Sequence, residues 1–259
     1  MRQVSSFLTW VIIAILVVSW LPILAFVWLF DRDPYKYRTG KIFRKLGLLI
    51  SRVNPNWKID KSGHENIDDR TPYVIVSNHL SLADIPVISN LPWEMKWVAK
   101  KELFDLPVLG WMLRLAGDIS VDRQAANKRV GVFKKSTKYL KNNISVIFFP
   151  EGTRSKTGTL KRFAPGAFDL AIRNGVPILP IAIDGTQGCL PKKDWLFKPD
   201  VYVKIKVLEP IQTKGLKPKE AIKLMNQTKK QIASQIAAWR GVKITRVDPT
   251  HLPRKADDV

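Results

Sequence analysis

The segment Ser77-Asn78-His79-Leu80-Ser81-Leu82-Ala83-Asp84 sets an imidazole and a carboxylate five residues apart, just beyond the apolar run at residues 73–77. With a strand before His79 and a helix after it, that offset folds the Asp84 carboxylate back onto a ring nitrogen. A carboxylate so placed fixes the tautomer and stabilises the imidazolium that forms when the ring takes a proton. His79 is then a general base able to deprotonate an alcohol. The plainer reading is a capping histidine beside a surface aspartate. The other histidines, His64 and His251, fall in an expected loop and in the tail, and neither has such a partner.

A second group of charges follows the apolar run at residues 144–149: Phe149-Pro150-Glu151-Gly152-Thr153-Arg154-Ser155. Charges that adjoin a core strand need partners. Arg154 suits a phosphate, which a guanidinium holds in a bidentate fork. A Glu151–Arg154 ion pair shaping the turn is the structural alternative, and the two combine if Glu151 is structural and Arg154 meets the ligand. Arg123 closes the run Gly117-Asp118-Ile119-Ser120-Val121-Asp122-Arg123, as a second phosphate ligand or as a solvated strand-end arginine. Lys100, in Ala99-Lys100-Lys101-Glu102-Leu103, offers a cation for an oxyanion, although a chain with 43 Lys and Arg also has many ordinary surface lysines.

These residues need elements that carry them to one place. Apolar runs at residues 73–77, 96–99, 118–121, 144–149 and 178–183 are expected strands, and 201–207 (VYVKIKV) alternates strictly, so one of its faces is wet. Helical spacing covers 81–91, 103–115, 124–142, 166–174 and 217–239. Strands alternating with helices imply an α/β sheet covered by helices. In such sheets functional loops gather at the strand C-termini.

The chain has 259 residues and a net charge of +21, so its partners are expected to be anionic. No nucleic-acid motif accompanies the charge, which favours a membrane surface or a phosphorylated substrate over nucleic acid. The single cysteine, Cys189, excludes an intrachain disulfide and a cysteine-ligated metal site; it is expected as a small buried residue in a turn. Residues 7–30 carry no charge and span roughly 36 Å as a helix, enough for a hydrocarbon core of about 30 Å. Pro22 leaves open a kinked spanning helix or a re-entrant pair of half-helices. Arg2 precedes the segment, whereas Arg32, Lys36, Arg38, Lys41, Arg44 and Lys45 follow it, which puts the following domain on the cytoplasmic side. Residues 36–53 place Ile42, Phe43, Leu46, Leu49, Ile50 and Val53 on one helical face opposite a basic face. Beside a membrane segment this reads as an interfacial helix on anionic lipid; the alternative is a surface helix packed on the domain. The expected division is 1–54 for these membrane elements, 55–240 for the catalytic domain and 241–259 for a loose polar tail.

In order and spacing, these motifs resemble those of the 1-acylglycerol-3-phosphate acyltransferases, within the glycerolipid acyltransferase superfamily, over roughly residues 55–210. The family's N-H-x-x-x-x-D motif is Asn78, His79 and Asp84. Its glycine-led strand ending in arginine is Gly117 to Arg123, its F-P-E-G-T-R-S motif is Phe149 to Ser155, and its V-P-I-x-P strand is Val176, Pro177, Ile178 and Pro180. The resemblance implies a mixed sheet flanked by helices, with His79 and Asp84 as the catalytic pair. It implies substrate binding by Arg123 and by Glu151, Gly152, Thr153 and Arg154, maps a family lysine onto Lys100, and lines the acyl or acceptor site with the V-P-I-x-P strand. The implied reaction moves an acyl group from acyl-CoA or acyl carrier protein to the sn-2 hydroxyl of 1-acyl-glycerol-3-phosphate, giving phosphatidic acid. No metal and no cofactor are expected beyond the thioester, and the expected partners are anionic membrane lipid, the lysophospholipid and the thioester carrier. Alternatives are another lyso-lipid acceptor, a hydrolase that uses the His–Asp pair on water, and a non-catalytic basic lipid- or nucleic-acid-binding protein. The chain has no G-x-S-x-G elbow.

Overall fold

The computed structural model describes residues 2–55, 57–65, 67–68, 71–122, 126–190, 195–198 and 200–249. Helices α1 (Arg2–Phe30) and α2 (Tyr37–Arg52) come first, followed by strands β1 (Trp57–Ser62) and β2 (Val74–Ser77), α3 (Asp84–Ile88), β3 (Met95–Lys100), α4 (Lys101–Phe104), α5 (Leu109–Leu115) and β4 (Ile119–Val121). Then come α6 (Ala126–Leu140), β5 (Ser145–Phe148), α7 (Gly166–Asn174), β6 (Ile178–Asp184), α8 (Thr186–Cys189) and β7 (Val201–Val207). A 3-10 turn at Pro218–Glu220 leads into α9 (Ala221–Arg240), and α10 (Ile244–Val247) is the last described helix.

The strands form one mixed sheet in the order β1-β7-β6-β2-β5-β3-β4. β6, β2, β5, β3 and β4 run parallel to their neighbours, and β7 lies antiparallel to β6. The central strands read VIVS, SVIF and ILPIAID with almost every residue buried, as parallel strands covered on both faces must be. Val74, Val76 and Val146 pack on one face against Phe168, Leu170, Ile232 and Ile236 of α7 and α9. Ile75, Ile147 and Ile181 pack on the other against Val87, Ile88 and Leu91 in and beyond α3.

The expected strands and long helices are all present, with boundary shifts. Residues 103–115 form two helices rather than one, because Pro107 lies between them and Val108 takes a positive φ of 61°. β1 (WKIDKS) escaped the apolar pattern because it is a largely exposed edge strand, paired on one side with β7. The tail expected to be loose is ordered at its start: Val247 is fully buried, its carbonyl accepts Leu160 N–H at 2.8 Å, and Asp248 pairs with Lys229 at 2.8 Å.

α1 is a single helix of 29 residues that continues through Pro22, so no re-entrant pair forms. It is long and apolar enough to cross a membrane, yet it is tied to the protein at several points. Trp10 Nε1 donates to the Trp195 carbonyl at 2.8 Å, Ser6 Oγ accepts Phe197 N–H at 3.0 Å, and Trp20 Nε1 donates to the Ile42 carbonyl at 3.2 Å. Leu24 is fully buried against α2 and α5, while Phe7, Ile15, Val18, Phe26, Leu29 and Phe30 point outward and are exposed. The apolar face of α2 is not free for lipid as the interfacial reading expected. Phe43 and Leu46 are buried among α1, α4 and α5 residues, so this helix is packed on the domain.

The same helix carries a buried charge into the sheet. Arg44 Nη2 meets Asp118 Oδ1 at 2.5 Å and its Nε lies 3.6 Å from Glu94 Oε2. Lys96, fully buried, gives all three protons away: to Glu94 Oε1 at 2.9 Å, to the Ala116 carbonyl at 2.7 Å and to the Lys36 carbonyl at 3.0 Å. Removing one partner of such a network strands the rest in a low-dielectric interior. Lys96→Met is therefore expected to lower unfolding stability by about 3 kcal/mol, read as a reduced denaturation midpoint in detergent. An unchanged midpoint would show the network to be energetically neutral.

Candidate functional site

Five neighbouring strands present their C-terminal ends on one edge of the sheet, and the site is built there. His79 follows β2 after one residue, Asn78, whose amide ties two strand ends together. Asn78 Nδ2 donates to the Ile183 carbonyl and Ile183 N–H donates back to Asn78 Oδ1, both at 2.9 Å. The chain then turns, and Asp84 at the start of α3 comes back to the ring: His79 Nδ1 lies 2.7 Å from Asp84 Oδ2. That oxygen also accepts Leu80 N–H at 2.7 Å and Ser81 N–H at 3.0 Å, and Oδ1 accepts the Thr186 hydroxyl at 2.5 Å. Asp84 is completely buried, whereas the His79 side chain keeps 14% of its surface open. The histidine is thus gripped on Nδ1 and its other side is the accessible one.

The loop after β5 braces the same ring. Phe149 stacks on His79 with centroids 4.1 Å apart and planes 18° from parallel. Glu151 Oε1 accepts His79 N–H at 2.9 Å, Oε2 accepts Lys161 N–H at 3.1 Å, and Ser155 N–H donates to the His79 carbonyl at 2.8 Å. Burial pushes the Glu151 carboxyl up to about 7, against the two backbone donors that favour its charge. Gly152 has a φ of +71° with open space around it, so the turn needs glycine for its backbone conformation alone. Arg154 is half-buried and, among the described residues, no carboxylate or carbonyl pairs with it. A guanidinium held there without a partner invites an anion.

A family model described as Acyltransferase matches residues 58–184. A chloroplastic 1-acyl-sn-glycerol-3-phosphate acyltransferase, BAT2 of Brassica napus, is 40% identical over 167 residues, 64% of this chain and 48% of that protein. The chain thus spans about half the length of this plant relative. The crystal structure of the 1-acyl-sn-glycerophosphate (LPA) acyltransferase PlsC from Thermotoga maritima superposes with a TM-score of 0.71 at 26% identity, over 90% of this chain and 98% of that one. The 1-acyl-sn-glycerol-3-phosphate acyltransferase alpha of Homo sapiens is 32% identical over 191 residues, 73% of this chain and 67% of the human protein. This chain belongs to the 1-acyl-sn-glycerol-3-phosphate acyltransferase family.

Within this member of the family, the residues expected at the site divide into those the fold brings together and those it does not. His79, Asp84, Glu151, Gly152, Thr153 and Arg154 share the β2 and β5 loops. Glu151, expected on the substrate, is instead taken up by the fold, because both its oxygens accept backbone N–H groups. The Glu151–Arg154 ion pair, the structural alternative, does not form. Thr153 is exposed and its hydroxyl accepts from Lys161 Nζ. Strand register puts Lys100 level with Asn78 but two strands away, about 10 Å at ordinary strand spacing. Its ammonium pairs with Glu102 at 2.6 Å in an exposed ion pair and does not contact the His79 loop. Arg123 lies outside the described residues. The V-P-I-x-P segment, expected to line the acyl or acceptor site, enters the core instead. Ile178 is fully buried beside Val74, at the far end of β6 from His79. Thr186 was missed, because 102 residues separate it from Asp84 and nothing local marks it.

The raised Glu151 carboxyl has a consequence for stability. An ordinary carboxyl at 4.5 releases its proton in the unfolded chain well before the folded chain does at about 7. The contribution of Glu151 is therefore fully present below about 4.5 and is lost as pH climbs to about 7. In Glu151→Gln that titration is gone. The thermal midpoint of wild type minus that of the variant should fall between about pH 5 and about pH 7.5; a difference that stays flat would contradict the assignment.

Proposed function

We propose that this protein transfers a fatty acyl group from a thioester, carried by CoA or acyl carrier protein, to the sn-2 hydroxyl of 1-acyl-glycerol-3-phosphate, forming phosphatidic acid. The observation that carries this reading is a carboxylate-held histidine beside an arginine on the adjoining loop that has no carboxylate or carbonyl partner among the described residues. The names of the relatives and of the Thermotoga maritima enzyme support the choice of acceptor. In this mechanism His79 Nε2 removes the proton as the hydroxyl oxygen attacks the thioester carbonyl carbon. Asp84 stabilises the imidazolium that results. The tetrahedral oxyanion collapses, the C–S bond breaks, and the imidazolium returns its proton to the leaving thiolate. Arg154 holds the acceptor's phosphate. A thioester is already activated, so the reading calls for no enzyme nucleophile and no resident metal or cofactor.

The membrane address belongs to the same reading. Bound to the domain through Trp10, Trp20 and Leu24, α1 enters lipid together with the side of the protein it lies on. Its exposed apolar residues face the hydrocarbon, and the exposed basic residues after it, Arg32, Arg38, Lys41 and Lys45, face anionic headgroups on the cytoplasmic side. The acceptor, already resident in that leaflet, then reaches His79 without leaving the membrane.

The test is purified protein in detergent with labelled lysophosphatidic acid and oleoyl-CoA or oleoyl acyl carrier protein. Wild type should form phosphatidic acid and His79→Ala should form none while remaining folded. Arg154→Ala should raise KM for the acceptor about tenfold and leave that of the donor unchanged. Product from His79→Ala, or an Arg154 effect confined to the donor, would overturn these assignments.

A further inference from the structure

We infer that Thr186 is a positioning residue for the catalytic pair, holding the outer oxygen of Asp84 so that the inner one stays aligned with His79. The inference rests on the acyl-transfer reading above. Asp84 is completely buried and its two oxygens are used very differently. Oδ2 takes His79 Nδ1 and two backbone N–H groups, whereas Oδ1 has the Thr186 hydroxyl at 2.5 Å as its one partner among the described residues. Thr186 is itself completely buried, so no solvent replaces its hydroxyl.

The surroundings of Thr186 are built to fix its place. Gly185, before it, has a φ of +88°, and a Cβ there would sit 2.1 Å from the Tyr202 carbonyl oxygen, so only glycine makes the turn out of β6. One residue earlier, Asp184 is clamped by Arg240 of α9, through Nε at 2.8 Å and Nη2 at 2.6 Å. Just past α8, the Leu190 carbonyl accepts the Ser81 hydroxyl at 3.1 Å. The turn from β6 into α8 is thereby fastened on both sides and delivers one hydroxyl to one carboxylate oxygen. The charge of Asp84 acts in turn on two nearby titratable groups, Glu151 and Cys189. The buried Cys189 thiol is pushed up to about 12 and stays neutral in the working range.

A hydroxyl donated to the carboxylate favours its charged form. Without it the His79–Asp84 pair holds its proton more tightly and the carboxylate loses one of the bonds that set its orientation. Thr186→Val keeps the shape and removes the donor; Thr186→Ser keeps the donor. In the lysophosphatidic acid assay, Thr186→Val should lower kcat about tenfold with KM for either substrate unchanged. The acid limb of its kcat/KM profile should move up by about one pH unit. Thr186→Ser should restore both, and Thr186→Ala should match Val, so that the Ser and Ala pair decides the matter if Val does not fold. Wild-type kinetics in Thr186→Val or Thr186→Ala, or equal losses in Ser and Ala, would overturn the inference. His79→Ala runs alongside: if it is dead while Thr186→Val is normal, the acyl-transfer reading stands and the inference fails, whereas an active His79→Ala removes the reading itself.

Discussion

A carboxylate with no exposure to water has to be satisfied by the protein around it, and at Asp84 four donors do so. An unpaired charge in such a place costs several kcal/mol, so the site is stable only when the turn 79–84 and the first residue of α8 are both in place. This one constraint couples the chemistry to the fold. The base cannot be oriented unless these two segments, 102 residues apart, have packed, and once they have packed it has one orientation. Among its donors only the imidazole has a face toward solvent. The arrangement leaves a single ring nitrogen for a substrate.

The rest of the molecule brings those segments to one edge. Parallel strands covered on both faces send their loops to the same side. The turn after β2 supplies His79 and the loop after β5 stacks Phe149 on the ring, while the turn from β6 into α8 supplies Thr186. The reciprocal bonds between Asn78 and Ile183 keep β2 and β6 from sliding. Glu151 performs the corresponding task across β2 and β5, binding His79 N–H with one oxygen and Lys161 N–H with the other. Burial favours its neutral form and pushes the carboxyl up to about 7, so the brace adds less negative charge beside Asp84 than an ordinary carboxylate would. Arg154, half-buried on that loop and without a carboxylate partner among the described residues, suits an anionic acceptor. The buried ions around Lys96 do for α2 what these bonds do for the site, fixing the N-terminal helices to the sheet.

Local patterns made much of this legible. The central strands were visible because burial on both faces leaves only a terminal serine as a polar residue in VIVS and SVIF. The His79–Asp84 pair was visible because both partners lie in one turn. What stayed hidden depends on distant or exposed partners. β1 is an edge whose exposed polar residues mimic a loop. Arg44 and Lys96 look like solvated cations until Glu94 and Asp118 are placed beside them. Glu151 looked like a substrate ligand because its true partners are backbone N–H groups, which no side-chain pattern announces. α2 looked like an interfacial helix because the helices that cover its apolar face come from both before and after it in the chain.

The central claim is that Asp84 holds the Nδ1 proton of His79 and leaves Nε2 as the base. The ring nitrogens themselves test it most directly. The chain has three histidines, so removing His64 and His251 by substitution leaves His79 as the sole signal in a protein labelled with 15N-histidine. The account predicts that the neutral ring carries its proton on Nδ1, with the Nε2 resonance that of an unprotonated nitrogen, and that Asp84→Asn abolishes this preference. A neutral His79 with its proton on Nε2 in the wild-type protein would contradict it.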